Sequence, residues 1–135
     1  MIEELGDRWL IGLRGIPVLA VDRTQGGPDL TLTLSDGVVL TVSGSVLLTE
    51  GPSAAPGAVV LSVEESSRLV GATVLSAVAF KSGLLRMVFS TGHHLSIRGA
   101  EPEETVRLQK PGVFRWSCHQ GVGTMKIFGS EDFKH

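Results

Sequence analysis

The thirteen residues from Leu30 to Val42, "LTLTLSDGVVLTV", recur fifty-five positions later as "LRMVFSTGHHLSI", Leu85 to Ile97. Leu30, Leu32, Leu34, Gly37, Leu40, Val42 and Gly44 fall on Leu85, Met87, Phe89, Gly92, Leu95, Ile97 and Gly99. Upstream, Gly15 and Val18 match Gly71 and Val74, now fifty-six apart, so one residue is lost between "DRTQGGPD" and "AFKSG". Order and spacing agree over about thirty residues, which points to a duplicated unit.

Each copy alternates apolar and polar residues with period two, the pattern of a strand with one buried face. A two-residue loop, Asp36-Gly37, would put Leu30, Leu32 and Leu34 on one face and Val38, Leu40 and Val42 on the other. Such a slip exposes a whole apolar set to water. A three-residue loop, Ser35-Asp36-Gly37, instead sets Leu34 opposite Val38, Leu32 opposite Leu40 and Leu30 opposite Val42. The expected form is a type I turn closed by a left-handed glycine in a bulge. Ser90-Thr91-Gly92 repeats the solution, pairing Phe89 with His93, Met87 with Leu95 and Leu85 with Ile97. Thr31, Thr33, Thr41 and Ser43 then face outward on the first hairpin. Arg86, His94, Ser96 and Arg98 do so on the second.

Each hairpin is preceded by a strand, Ile16–Val21 or Thr73–Phe80, and followed by another, Val46–Thr49 or Thr105–Gln109. The segments "RWLIGL" (8–13), "VFRWSC" (113–118) and "TMKIF" (124–128) read as further strands, with "HQGVG" as a turn. Between the copies, "SAAPGA" (53–58) reads as a loop. "SVEESSRLVG" (62–71) predicts a short helix, capped by Ser62 and Glu65 and ended by Gly71. The expectation is a mainly β fold with one short helix: two repeated antiparallel units packed as a sandwich or roll. It forms a single domain over 1–135, with repeats at about 15–50 and 71–109 and a C-terminal hairpin at 113–128. A lone hairpin cannot hide its apolar face, and a second copy supplies the missing cover.

Composition narrows the function. Formal net charge is −2, which argues against nucleic acid as a partner. Residues 1–62 hold three basic and seven acidic residues, whereas 63–135 hold nine and seven, a difference that reads first as surface scatter and alternatively as opposite faces with different partners. One cysteine, Cys118, precludes an internal disulfide and suits a cytoplasmic home. The start "MIEELGDRW" lacks the apolar run of a signal peptide, and no stretch approaches eighteen apolar residues, so no membrane association is expected.

The run Trp9, Gly12-Leu13-x-Gly15-x-x-Val18, "LSDG", Gly71-x-x-Val74, "STG" and Cys118-x-x-Gly121 resembles an uncharacterised family of small bacterial proteins. That family is a domain of unknown function frequent in high-GC genomes. The resemblance spans about residues 8 to 128. It rests on turn glycines and core positions, so it implies a fold and assigns no catalytic residue. Where the family has Pro-Gly-Gly this chain has "QGVG". Small β-rich bacterial proteins of this kind often resemble immunity proteins encoded beside secreted toxins.

The chemistry-bearing residues are few. His93 and His94 are neighbours on a strand and point to opposite faces, so they do not chelate one metal. His93 faces the core beside Phe89, and His94 faces out near Arg86 and Arg98. Cys118 and His119 diverge in the same way, leaving Cys118 as a small apolar core residue. "GVGTMK" (121–126) lacks the spacing and the Lys-Ser/Thr of a phosphate loop. Trp9 and Trp116 read as core anchors. No cofactor, metal site or catalytic group is expected. The sequence therefore points to a non-enzymatic protein-binding module, of the immunity type that neutralises a toxin. Arg86, His94 and Arg98, with the acidic residues Glu101, Glu103 and Glu104, are expected to contact the partner protein. The alternatives are self-association as a homodimer through an edge strand, and a small-ligand binder or enzyme with a cleft near His93, Cys118 and His119.

Overall fold

The computed structural model describes residues 2–22, 30–43, 45–50, 59–61, 67–98 and 105–128. They form thirteen strands: β1 (Ile2–Glu4), β2 (Arg8–Ile11), β3 (Val18–Asp22), β4 (Leu30–Leu34), β5 (Val39–Ser43), β6 (Ser45–Glu50), β7 (Val59–Leu61), β8 (Val74–Phe80), β9 (Leu84–Phe89), β10 (His93–Arg98), β11 (Thr105–Lys110), β12 (Phe114–His119) and β13 (Val122–Ile127). Two antiparallel sheets result. The first runs β1-β2-β8-β9-β10-β6-β7, and the second runs β13-β12-β11-β5-β4-β3. β1 and β7 were not expected from the sequence, because three-residue strands give the period-two pattern too little length to register.

Of the expected short helix over 62–71, residues 62–66 lie outside the described residues, and 67–71 hold no α-helix. The described part is a single 3-10 turn at 67–69. The capping pair Ser62 and Glu65 lies outside the described residues. A two-turn helix depends on packing for its stability, so capping alone is a weak guarantee.

The two hairpins keep the deduced registers. Leu30 pairs with Val42 and Leu32 with Leu40, while Leu85 pairs with Ile97 and Met87 with Leu95. Their turns differ. In the second, Gly92 has φ 88° and its N–H donates to the Phe89 carbonyl at 2.9 Å, as the three-residue solution requires. In the first, Asp36 (φ 64°) and Gly37 (φ 79°) are both left-handed, the signature of a type I′ Asp-Gly turn. The type I turn expected there is thus corrected, and Ser35 absorbs the extra residue. Its N–H leaves the hairpin and donates to the Pro17 carbonyl at 3.0 Å.

The sheets meet where the strands before the hairpins cross. Pro17 and Thr73 form an antiparallel bridge. Around it the hydrogen bonds come in reciprocal pairs. Val18 N–H donates to Ala72 C=O (2.8 Å), and Val74 N–H to Ile16 C=O (3.0 Å). Gly15 N–H donates to Val74 C=O (2.8 Å), and Gly71 N–H to Val18 C=O (2.9 Å). Ser35 N–H to Pro17 C=O is mirrored by Ser90 N–H to Thr73 C=O (2.8 Å). Even the register shifts correspond, at Val18/Ala20 in β3 and at Val74/Ser76 in β8.

The strand after each hairpin does not stay with it. β6 follows β5 in sequence but pairs with β10, and β11 follows β10 but pairs with β5. Each sheet is thereby closed by a strand from the other half of the chain. The inward residues of both sheets form one core, including Leu32, Leu40, Val42 and Trp116 from one side and Leu85, Met87, Phe89 and Leu95 from the other. Trp9 and Trp116 are core residues, as expected. At one end β13 closes on the other sheet: Gly123 N–H donates to the Lys81 carbonyl at 3.0 Å. A Cβ at Gly123 would run into the Phe80 carbonyl, so only glycine allows that approach.

Candidate functional site

Two outward faces remain once the core is closed. On the first sheet, pairing aligns Leu10 with Val78, Arg86 and Ser96 in one row. The next rows set Val88 beside His94, and Arg8 beside Phe80. A solvated sheet face is ordinarily polar at alternate positions. This one instead carries Leu10, Val78, Phe80, Leu84 and Val88, exposed or half-buried, among Arg8, Arg86 and His94. Arg86 is exposed and His94 half-buried. The backbone of Arg98 pairs with Leu84, two positions along β10 from the residue opposite Arg86; its side chain lies outside the described residues. Glu101, Glu103 and Glu104 also lie outside them. A pocket of about 310 Å³, lined by Ile2, Glu3, Leu10, Ile11 and Gly12, flanks this face at its β1 edge.

Near that edge the charges satisfy one another. Lys81 Nζ is 2.7 Å from Glu4 Oε2 and 5.3 Å above the Trp9 ring. Arg8 Nε is 2.9 Å from Asp7 Oδ1, and the guanidinium sits 4.6 Å from the Phe80 ring centroid. The hydrogen bond from Arg8 holds the Asp7 carboxyl below the usual aspartate range.

The histidines and the cysteine in question sit on two strands, β10 and β12, and on each strand adjacent residues face opposite ways. His93 is buried on the inner face of β10, its Nδ1 sharing a 2.6 Å hydrogen bond with the Thr91 hydroxyl. Its Nε2 is buried without a partner. Cys118 is buried in the core from β12, while His119, the next residue, is exposed on the outer face. A pocket touches Cys118 and His119 and not His93. Among the described residues no three His, Cys, Asp or Glu side chains are grouped so as to hold a metal ion.

That pocket opens on the outer face of the second sheet. Its volume is about 320 Å³, and Thr41, Thr105, Val106, Arg107, Ser117, Cys118 and His119 line it. The ladder explains the grouping. Thr41 pairs with Arg107 and Arg107 with Ser117, while Thr105 pairs with His119 one step along the strands. Directly paired side chains start about 5 Å apart, and neighbours on the same face of one strand about 7 Å apart. One guanidinium, three hydroxyls and one imidazole therefore share a small patch. Arg115 and Lys126 flank it, both engaged with the Phe128 ring, at 5.9 Å and 5.2 Å.

Residues 13–126 match a family of unknown function, DUF6188. The chain belongs to this family. No curated protein and no solved structure matches it. The DUF6188 match takes in both hairpins, the reciprocal crossing at Pro17 and Thr73, and the whole Arg107 pocket. It leaves out β1 and β2, and with them Glu4, Asp7, Arg8, Trp9 and Leu10. The DUF6188 unit is therefore the two-sheet body, and the apolar face of the first sheet draws Arg8 and Leu10 from outside it.

Proposed function

We propose that this chain is a non-enzymatic protein-binding module, built by internal duplication, that docks its partner on the outer face of the first sheet. The observation that carries the reading is the mixture of Leu10, Val78, Phe80, Leu84 and Val88 with Arg8, Arg86 and His94 on a face that water would otherwise make polar. Apolar contact area studded with arginine is the composition of protein interfaces, where arginine is enriched and other charges are depleted. The divergence of Cys118 and His119 to opposite faces of β12 fits a role in binding. A small protein of this kind can act by covering its partner, and neutralising a toxin as an immunity protein is one task of that kind.

The test is affinity capture from the native host with wild-type, Val78→Asp and Arg86→Glu protein, thermal unfolding being followed in parallel. A stoichiometric partner retained by the wild type and lost by Val78→Asp, with the fold intact, is the expected result. Retention of that partner by both variants would sink the reading. Recovery of nothing but the protein itself would replace it with self-association, which light scattering checks directly.

A further inference from the structure

The pocket on the second sheet lies on another face, and its chemistry is independent of the first sheet's partner. We infer that the Thr41/Thr105/Arg107/Ser117/His119 pocket is a binding site for a small molecule bearing an oxyanion, a phosphate or carboxylate group. Its side chains form a donor set suited to such a group. Arginine offers a planar fork that fits two oxygens of either, and charge-assisted bonds of that kind are the stronger ones. Threonine and serine hydroxyls rotate to donate, and the imidazole adds a further donor. At about 320 Å³ the pocket has the volume of a small-ligand site.

Arg107 is also uncommitted. Lys81 is engaged with Glu4, Arg8 with Asp7 and Arg115 with Gln109 at 3.3 Å, whereas Arg14, Arg86 and Lys110, like Arg107, have no ion pair among the described residues. Among the described residues Arg107 makes no ion pair, although a surface arginine gains by finding one. Asp22 is the one carboxylate on the described strands of this outer face. It sits in the same row beyond Thr31 and Thr41, three strands from Arg107 and so about 14 Å away. That distance exceeds the screening length at physiological salt.

The sister sheet shows that the fold does not demand arginine here. Ser96 occupies in the second hairpin the place of Thr41 in the first, and its partner across the exchanged strand is Leu47. The register position that holds Arg107 on one sheet thus holds an apolar residue on the other. The cation is an addition to one sheet only.

The experiment follows backbone amide shifts by NMR while wild-type protein is titrated separately with inorganic phosphate and with acetate, at constant ionic strength. Arg107→Met and His119→Ala are titrated alongside. The expected result is saturable shifts centred on Thr41, Thr105, Arg107, Ser117 and His119, with a Kd of about 1 mM or tighter for one probe. Arg107→Met should weaken it about tenfold or more, with thermal unfolding unchanged because the side chain is exposed. Saturation by phosphate alone identifies a phosphorylated ligand, and saturation by acetate identifies a carboxylate. Absence of saturable shifts with both probes overturns the inference, as does saturation that Arg107→Met leaves untouched.

Discussion

The hairpin β4–β5 and the hairpin β9–β10 are the same object on the inside and different objects on the outside. Inward, Leu30, Leu32, Leu40 and Val42 answer Leu85, Met87, Leu95 and Ile97, and all are buried. Outward, Thr31, Thr33 and Thr41 stand where the second hairpin has Arg86, Val88 and Ser96. The core fixes volume and polarity at every inward position, so those residues have little freedom. The outer positions are held only by strand geometry, and there the two sheets have taken up different chemistry: arginine and apolar side chains on one, hydroxyls around Arg107 on the other. The pairing of each hairpin with the other's following strand sharpens the contrast, because it brings Arg107 to Thr41 and Leu47 to Ser96.

The inner likeness makes the largest prediction. Leu40 and Leu95 are equivalent and fully buried. Leu40→Ala and Leu95→Ala should each cost about 2–5 kcal/mol, and similar amounts, by urea denaturation. A large loss in one variant and none in the other would break the equivalence. The turns come next. Asp36 sits at φ 64°, where a side chain without aspartate's local hydrogen bonding is strained, whereas Thr91 precedes the single left-handed residue of its turn. Asp36→Ala should therefore cost about 1 kcal/mol and Thr91→Ala clearly less. Equal costs would mean that the two turns share one geometry after all.

At the hairpin rim the comparison is between Val38 and His93. Both are buried, yet His93 leaves its Nε2 without a partner, and its other ring nitrogen is tied to an exposed threonine that water can serve. Burying an unsatisfied polar atom costs more than an ordinary hydrogen bond returns. His93→Val should be neutral or stabilising by up to about 1 kcal/mol, and Val38→His destabilising. If His93→Val instead unfolds the protein, the histidine has a role that this geometry does not contain.

Most of the fold was legible, for a definite reason. Period-two alternation and the demand that one apolar face be buried determine register, so Leu32 opposite Leu40 followed from the sequence alone. The outward direction of Arg86 and His94, and the divergence of Cys118 from His119, came from the same rule. The reciprocal exchange of β6 and β11 was not legible, because alternation says which way a residue points and not which strand lies beside it. The Arg107 pocket stayed hidden with it. The pattern in "TVRLQK" turns Arg107 outward, but its neighbours Thr41 and Ser117 are sixty-six residues before it and ten after it. Asp36 misled for a local reason: aspartate tolerates the left-handed region well enough to take a glycine's part in a turn.

The smallest expected effect tests the outer difference by charge alone. Glu104 immediately precedes Thr105, a residue of the pocket lining. A like charge within a screening length of a bound oxyanion opposes it. Glu104→Gln should tighten phosphate or acetate binding in the NMR titration by less than about fivefold, more at low salt than at high, without moving the unfolding midpoint. The corresponding neutral change on the first sheet, Glu3→Gln beside the Leu10 pocket, should leave that titration where it was. An equal response from both would assign the anion affinity to net charge rather than to Arg107 and the hydroxyls around it. A response from Glu104→Gln alone would place it on the second sheet, on the outer face that the shared pattern of core residues leaves free to differ.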